Sequence, residues 1–163
     1  MRNSAPSWET ILKLAAMQLM NRMGGTSGAM FGTLYLKAAM SLPADEEITP
    51  AQFAQMWKAG CDGLAQRGKA EIGDKTMLDA LSPAVDALKE KIDAEKSFIE
   101  ALRAAKQAAA KGAESTLDMQ AKHGRAKYIG ERAIGHIDAG ARSIALMFEA
   151  ILEYFEANQH GET

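Results

Sequence analysis

The residues that could do chemistry gather in three glycine-rich segments between apolar stretches: Gly24-Gly25-Thr26-Ser27-Gly28, then Arg67 through Met77, then His123 through Gly140. The first opens onto a helical pattern, so its backbone N–H groups and the hydroxyls of Thr26 and Ser27 are placed to cradle phosphate oxygens at the positive end of a helix dipole. The same residues also spell a tight turn between helices with Ser27 as N-cap. The second segment mixes Arg67, Lys69, Glu71, Asp74 and Lys75 with Gly68 and Gly73, which suits either a mobile flap over an anionic ligand or a solvated connection. In the third, Arg125 is the natural phosphate partner, because a guanidinium offers anionic oxygens a fixed fork of donors. His136 and Asp138 read either as a general base with its orienting carboxylate, or as a histidine packed at a helix start that Asp138 caps. Two ligands at that spacing are too few for a metal site.

Two decoys lie nearby. Gly63-Leu64-Ala65-Gln66-Arg67-Gly68-Lys69-Ala70 nearly spells a P-loop, but Ala70 stands where a hydroxyl should meet magnesium, and the segment follows a helical pattern rather than a strand. Cys61, the single cysteine, sits beside Gly60 with nothing near it to make a thiolate, so it reads as a small buried apolar residue. The ten methionines read as core fillers.

The elements that must position these segments are helical throughout, for no stretch shows the strict alternation of a half-buried strand. Trp8, Ile11, Leu12, Ala15, Ala16, Leu19 and Met20 fall on one face of a helix that ends before Gly24. A second helix runs from about Ser27 to Ser41. Thr49-Pro50-Ala51-Gln52 has the form of a capping box and opens a third, striped by Phe53, Met56, Trp57, Gly60 and Leu64. A fourth spans Met77 to Ile92 and is expected to kink or restart at Pro83. An alanine-rich fifth, from about Glu95 to Gln120, is expected to break or bend near Gly112. The last carries Ile144, Met147, Phe148, Ile151, Leu152 and Phe155 on one stripe. Short connections between amphipathic helices predict an all-α antiparallel bundle of about six helices. The expectation is a single domain over 1–163 with a helical core over 7–158.

With 163 residues, 47% of them apolar, the chain can build one sizeable core. A formal charge of −2, from 19 basic and 21 acidic side chains, gives no field that would draw it to nucleic acid or an anionic membrane. The charge-free run from Met23 to Leu36 is too short and too rich in glycine to span a bilayer. The opening MRNSAPSWET has no apolar signal core. Together with the lone cysteine, this points to a cytoplasmic protein without nucleic-acid or membrane partners.

In order and spacing the segments resemble those of the nucleotide-binding L subunit, DhaL, of bacterial dihydroxyacetone kinases and the equivalent domain of ATP-dependent glycerone kinases. The resemblance is carried by Gly24 to Gly28 with Phe31-Gly32-Thr33, by Arg67 to Glu71 with Gly73 to Asp79, by Gly124-Arg125-Ala126 with Tyr128 and Gly130-Glu131-Arg132, and by Ile134-Gly135-His136 with Asp138 and Gly140-Ala141. It covers nearly the whole chain, from about Ile11 to Glu153. It implies a helical barrel with ADP or ATP bound across one end. Thr26 and Ser27 would meet the phosphates, Gly68 and Met77 would line the pocket, Arg125 would hold a phosphate, and Asp138 and Gly140 would close the site beside the base or ribose. It also implies a K-type partner subunit that holds dihydroxyacetone covalently, so no catalytic nucleophile is expected here. In one branch a phosphotransferase-system subunit rephosphorylates the bound ADP; in the other ATP exchanges freely.

One departure stands beside the matches. The family carries an Asp-rich segment ending in Asp-His-Gly upstream of the first glycine loop, and its carboxylates hold two magnesium ions. Here Glu9 is the sole carboxylate before Gly24, so the chain reads as N-terminally shortened, with magnesium expected for the family but its ligands missing. The resemblance implies a phosphotransferase subunit that passes a phosphoryl group to a small ketose on its partner. The alternative is a non-catalytic nucleotide-responsive or partner-binding module.

Overall fold

The computed structural model describes residues 6–43 and 47–158. The first five residues, on which the leader reading partly rests, lie outside it. Among the described residues the chain is all-α, with seven helices and two short 3₁₀ turns and no strand. It divides into two compact units, one ending at Lys69 and the other beginning at Ala70.

In the first unit, α1 (Trp8–Arg22) starts at Ser7, whose hydroxyl accepts from the Thr10 amide at 3.3 Å. It turns at once into α2 (Gly25–Met40), and the two run antiparallel. Glycines decide how closely. A Cβ on Gly28 would run into the Met23 carbonyl oxygen, and one on Gly32 into the Met20 side chain. The narrow contact buries only part of the stripe expected for α1. Ala16 is buried, while Trp8 is 47% exposed and Ile11 and Met20 are each 38% exposed. Helix α3 (Pro50–Gly68) begins with the expected capping box: the Gln52 amide donates to the Thr49 hydroxyl at 3.2 Å, and the Thr49 amide to the Gln52 side chain at 2.8 Å. Its Gly60 and Gly63 meet Leu34 and the stem of Lys37 on α2. The P-loop-like run from Gly63 to Gly68 is therefore helix packed on helix, and Cys61 beside it is buried.

In the second unit, α4 (Leu78–Asp93) and α5 (Phe98–Ser115) form an antiparallel hairpin across a tight connection. The restart expected at Pro83 and the break expected near Gly112 do not occur, for one reason. Pro83 sits inside an unbroken α4, and Gly112 inside an unbroken α5. Proline lacks the N–H that the Asp79 carbonyl would accept one turn back. That same carbonyl is what a Cβ on Gly112 would strike. Proline and glycine thus serve the close approach of two continuous helices rather than ending them. Helix α5 opens on a capping box of Ser97 and Glu100, and α7 (Ala139–Asn158) packs antiparallel along it. The pair is pinned by Arg103 to Glu156 at 2.7 Å and by Lys106 to Glu149 at 3.0 Å, over a core of Leu81, Leu88, Leu102, Ile144 and Phe148. Between α5 and α7 the chain makes only a 3₁₀ turn (Thr116–Asp118), the single turn α6 (Ala126–Ile129) and a second 3₁₀ turn (Gly130–Ala133).

Alanine at Gly112 gains up to about 1 kcal/mol of helix propensity but must push two helices apart, at about 1–3 kcal/mol. The expected result for Gly112→Ala is a net loss of stability and a lower Tm by circular dichroism. A Tm at or above that of the parent chain would show that the hairpin does not depend on this approach.

Candidate functional site

In the first unit the chemistry sits at the start of α2. Its N-cap is Gly24, which has no side chain to satisfy the first-turn amides, and the first turn holds no acid. Helix starts leave their first N–H groups without intrahelical partners and carry partial positive charge. Here those donors stand beside the exposed hydroxyls of Thr26 and Ser27. Ser27 lies within the first turn rather than at the N-cap, so the capping reading of Ser27 gives way to an uncapped start. Gly25 has φ of 68°, the left-handed region that glycine enters without strain. Gly68, partly buried, is the last residue of α3, followed by Lys69 at φ 49°.

In the second unit the charged loop before α4 is tied to its surroundings by buried side chains, so this part of it is more than a solvated connection. Asp79, 2% exposed, turns its carboxylate back to accept from the amides of Gly73 at 2.6 Å and Thr76 at 2.7 Å. Asp74 accepts from the Glu71 amide at 2.9 Å and from the Lys122 ammonium at 2.7 Å, and pairs with the His123 ring at 3.1 Å. The hydrogen bond from Lys122, seconded by the Glu71 amide, holds the Asp74 carboxyl down to about 2. Lys75 points inward too. It is 3% exposed, and its ammonium donates to the carbonyls of Thr116 at 2.5 Å and His136 at 2.6 Å. A buried charge demands such partners.

Around the start of α7, Asp138 acts as the cap. The Ala141 amide donates to its carboxylate at 2.8 Å and the Arg142 amide to its carbonyl at 2.9 Å. Burial pushes the Asp138 carboxyl above its ordinary range, against the pull of the Ala141 and Gly140 amides. Gly140 fits tightly here: a Cβ on it would lie 3.0 Å from the Asp138 carboxylate and 3.2 Å from the side chain of buried Met77. The structure therefore brings Met77, Asp138 and Gly140 together. Arg125 stands exposed at the start of α6. His136 is exposed and offers its backbone carbonyl, not its ring, to Lys75. Among the described residues its ring shares no hydrogen bond with Asp138, so the capping reading of Asp138 holds and the base-and-orienter reading does not.

Sequence reasoning missed Lys75, Asp79, Thr116 and Lys122 as organisers of this region. Thr76-Met77-Leu78-Asp79 had the spacing of a capping box, a signal that would have found Asp79. No local signal links Lys75 to Thr116. Among the described residues no three or more His, Cys, Asp or Glu side chains gather so as to hold a metal ion. None of the described helices is long and apolar enough to cross a membrane.

A family model described as the DAK2 domain matches residues 2–153. The chain is 44% identical over 141 residues to the ADP-binding subunit DhaL of the PEP-dependent dihydroxyacetone kinase of Escherichia coli (strain K12), a match that covers 86% of this chain and 67% of that protein. It is 39% identical over 149 residues to the DhaL subunit of PEP-dependent dihydroxyacetone kinase 2 of Listeria innocua serovar 6a, covering 91% of this chain and 68% of that one. Among solved structures, the native dihydroxyacetone kinase of C. freundii superposes with a TM-score of 0.67 at 27% identity; the match covers 91% of this chain and 24% of that much longer one.

The Asp74 tether makes a pH-dependent contribution whose sign follows from its depressed value. The folded carboxyl titrates near 2 against an ordinary 3.8, so the stabilisation is fully present above pH about 4 and is lost as pH falls through the folded value. Asp74→Asn is expected to be less stable than the parent at pH 7, with the gap closing as pH is lowered from about 4 toward 2. Urea denaturation across that range checks it; a gap independent of pH would contradict the assignment.

Proposed function

The chain belongs to the DAK2-domain family, and from that premise we propose that it is the nucleotide-binding subunit of a dihydroxyacetone-type kinase, holding ADP or ATP while a phosphoryl group passes to a small ketose on a K-type partner subunit. The observation that carries the reading is the uncapped start of α2. Its first-turn amides, without an N-cap side chain, and the exposed Thr26 and Ser27 hydroxyls make a donor set suited to phosphate oxygens. Gly24 and Gly25 let the backbone come close to a ligand without side chains in the way.

The remaining contacts are proposed from the family resemblance. Gly68 and Met77 line the nucleotide pocket, Met77 as an apolar wall. Arg125 adds a guanidinium fork to the phosphates, and its exposure leaves it able to reach a ligand. Asp138 and Gly140 close on the base or ribose, and the tight fit of Gly140 against Met77 supports a backbone surface there rather than a side chain. Fixed donors of this kind favour charge on a transferring phosphoryl group because they need no reorganisation as it develops. Magnesium would neutralise part of that charge. Among the described residues no group of three or more His, Cys, Asp or Glu side chains gathers to hold it. A relative from Lactococcus lactis named as the ADP-binding subunit of a PTS-dependent dihydroxyacetone kinase supports a phosphotransferase-system donor for the bound nucleotide.

Calorimetric titration with ADP in the presence of magnesium tests the reading. Binding is expected, and Arg125→Ala is expected to weaken it by about 1.5–3 kcal/mol, the scale of a hydrogen bond to a charged group. Absence of ADP binding by the intact protein would end the nucleotide reading, and an unchanged affinity in the variant would remove Arg125 from the site.

A further inference from the structure

Two buried polar side chains have no part in the contacts just assigned, yet both hold the segment that contains Asp138 and Gly140. Lys75 leaves the loop before α4 in a left-handed conformation, φ 60°, and its ammonium ties the Thr116 carbonyl to the His136 carbonyl, at 2.5 and 2.6 Å. Thr116, wholly buried, donates its hydroxyl to the Ala113 carbonyl at 2.6 Å and accepts the Asp138 amide at 2.9 Å. The Gly135 amide adds a bond to the Leu117 carbonyl at 2.8 Å.

We propose that Lys75 and Thr116 are positioning residues that fix the 135–140 segment, and so set the place of the Asp138 and Gly140 surface offered to a nucleotide; the inference rests on the nucleotide reading above. The chain between α5 and α7 has only single turns and no helical ladder long enough to place its end. What fixes that end is the set of bonds to Lys75 and to Thr116 and Leu117 in the 3₁₀ turn that follows α5. An apolar residue at position 75 would fill the same space without the cost of burying a charge. It could not join two carbonyls from separate segments. The threonine hydroxyl is likewise suited to its place, since it donates and accepts at once.

Lys75→Met removes the donor that joins the Thr116 and His136 carbonyls in an interior site and endangers the fold, so Thr116 carries the test. Thr116→Val keeps the shape and loses the hydroxyl; Thr116→Ser keeps the hydroxyl and loses the methyl. ADP affinity is measured by calorimetry with magnesium at a temperature where circular dichroism shows each variant folded. Amide hydrogen exchange is followed at Ala141, whose N–H is held by Asp138, and at Ile144 to Phe148 on the same helix. The expected result is about tenfold weaker ADP binding for Thr116→Val, faster exchange at Ala141 but not at Ile144 to Phe148, and restoration of both by Thr116→Ser. Parent-like binding and exchange in Thr116→Val would overturn the proposal. So would the reverse pattern, with serine impaired and valine sound, or a speeding of exchange spread evenly along α7. If the parent itself fails to bind ADP, the nucleotide reading falls and the exchange pattern alone decides: local loss at Ala141 rescued by serine supports the positioning role, and its absence refutes it.

Discussion

The Lys75 ammonium, buried and shared between the carbonyls of Thr116 and His136, is the constraint on which the second unit's site depends. A charge in the interior is tolerated only where fixed dipoles replace its water, so the loop that delivers Lys75 must itself be rigid. Asp79 supplies that rigidity by gathering the Gly73 and Thr76 amides. Asp74 extends it by reaching across to Lys122 and His123. The order of dependence runs from loop to lysine to turn, and only then to Asp138 at the head of α7.

Glycine and proline do a different task from the one their local propensities suggest. Gly28 and Gly32 let α1 lie against α2, and Gly112 admits the Asp79 carbonyl that Pro83 leaves without its usual donor. The absence of side chains between helix backbones keeps the helix ends rigidly placed, which benefits any site built from loops at those ends.

Family membership and structure bear on different parts of the functional reading. The DAK2-domain match spans nearly the whole chain, and the uncapped helix start and the Met77, Asp138 and Gly140 cluster are features of the fold in their own right. The roles proposed for Thr26, Ser27 and Arg125 toward phosphate come from the resemblance and are supported by exposure and donor chemistry, and that proposed for Gly68 comes from the resemblance alone.

The sequence by itself determined the helices, the capping box at Thr49, the last amphipathic stripe and the glycine segments between helices, because each depends on residues within a turn or two of one another. It also held the Thr76 to Asp79 spacing, unread. Only the tertiary structure decided that Lys75 and Asp74 face inward, that Pro83 and Gly112 leave their helices unbroken, and that Asp138 caps α7 instead of orienting His136. The physical reason is separation along the chain. Lys75 meets partners 41 and 61 residues away, and Asp74 meets Lys122 at 48. A charge in a polar loop looks solvated until the folded chain brings those carbonyls and side chains to it.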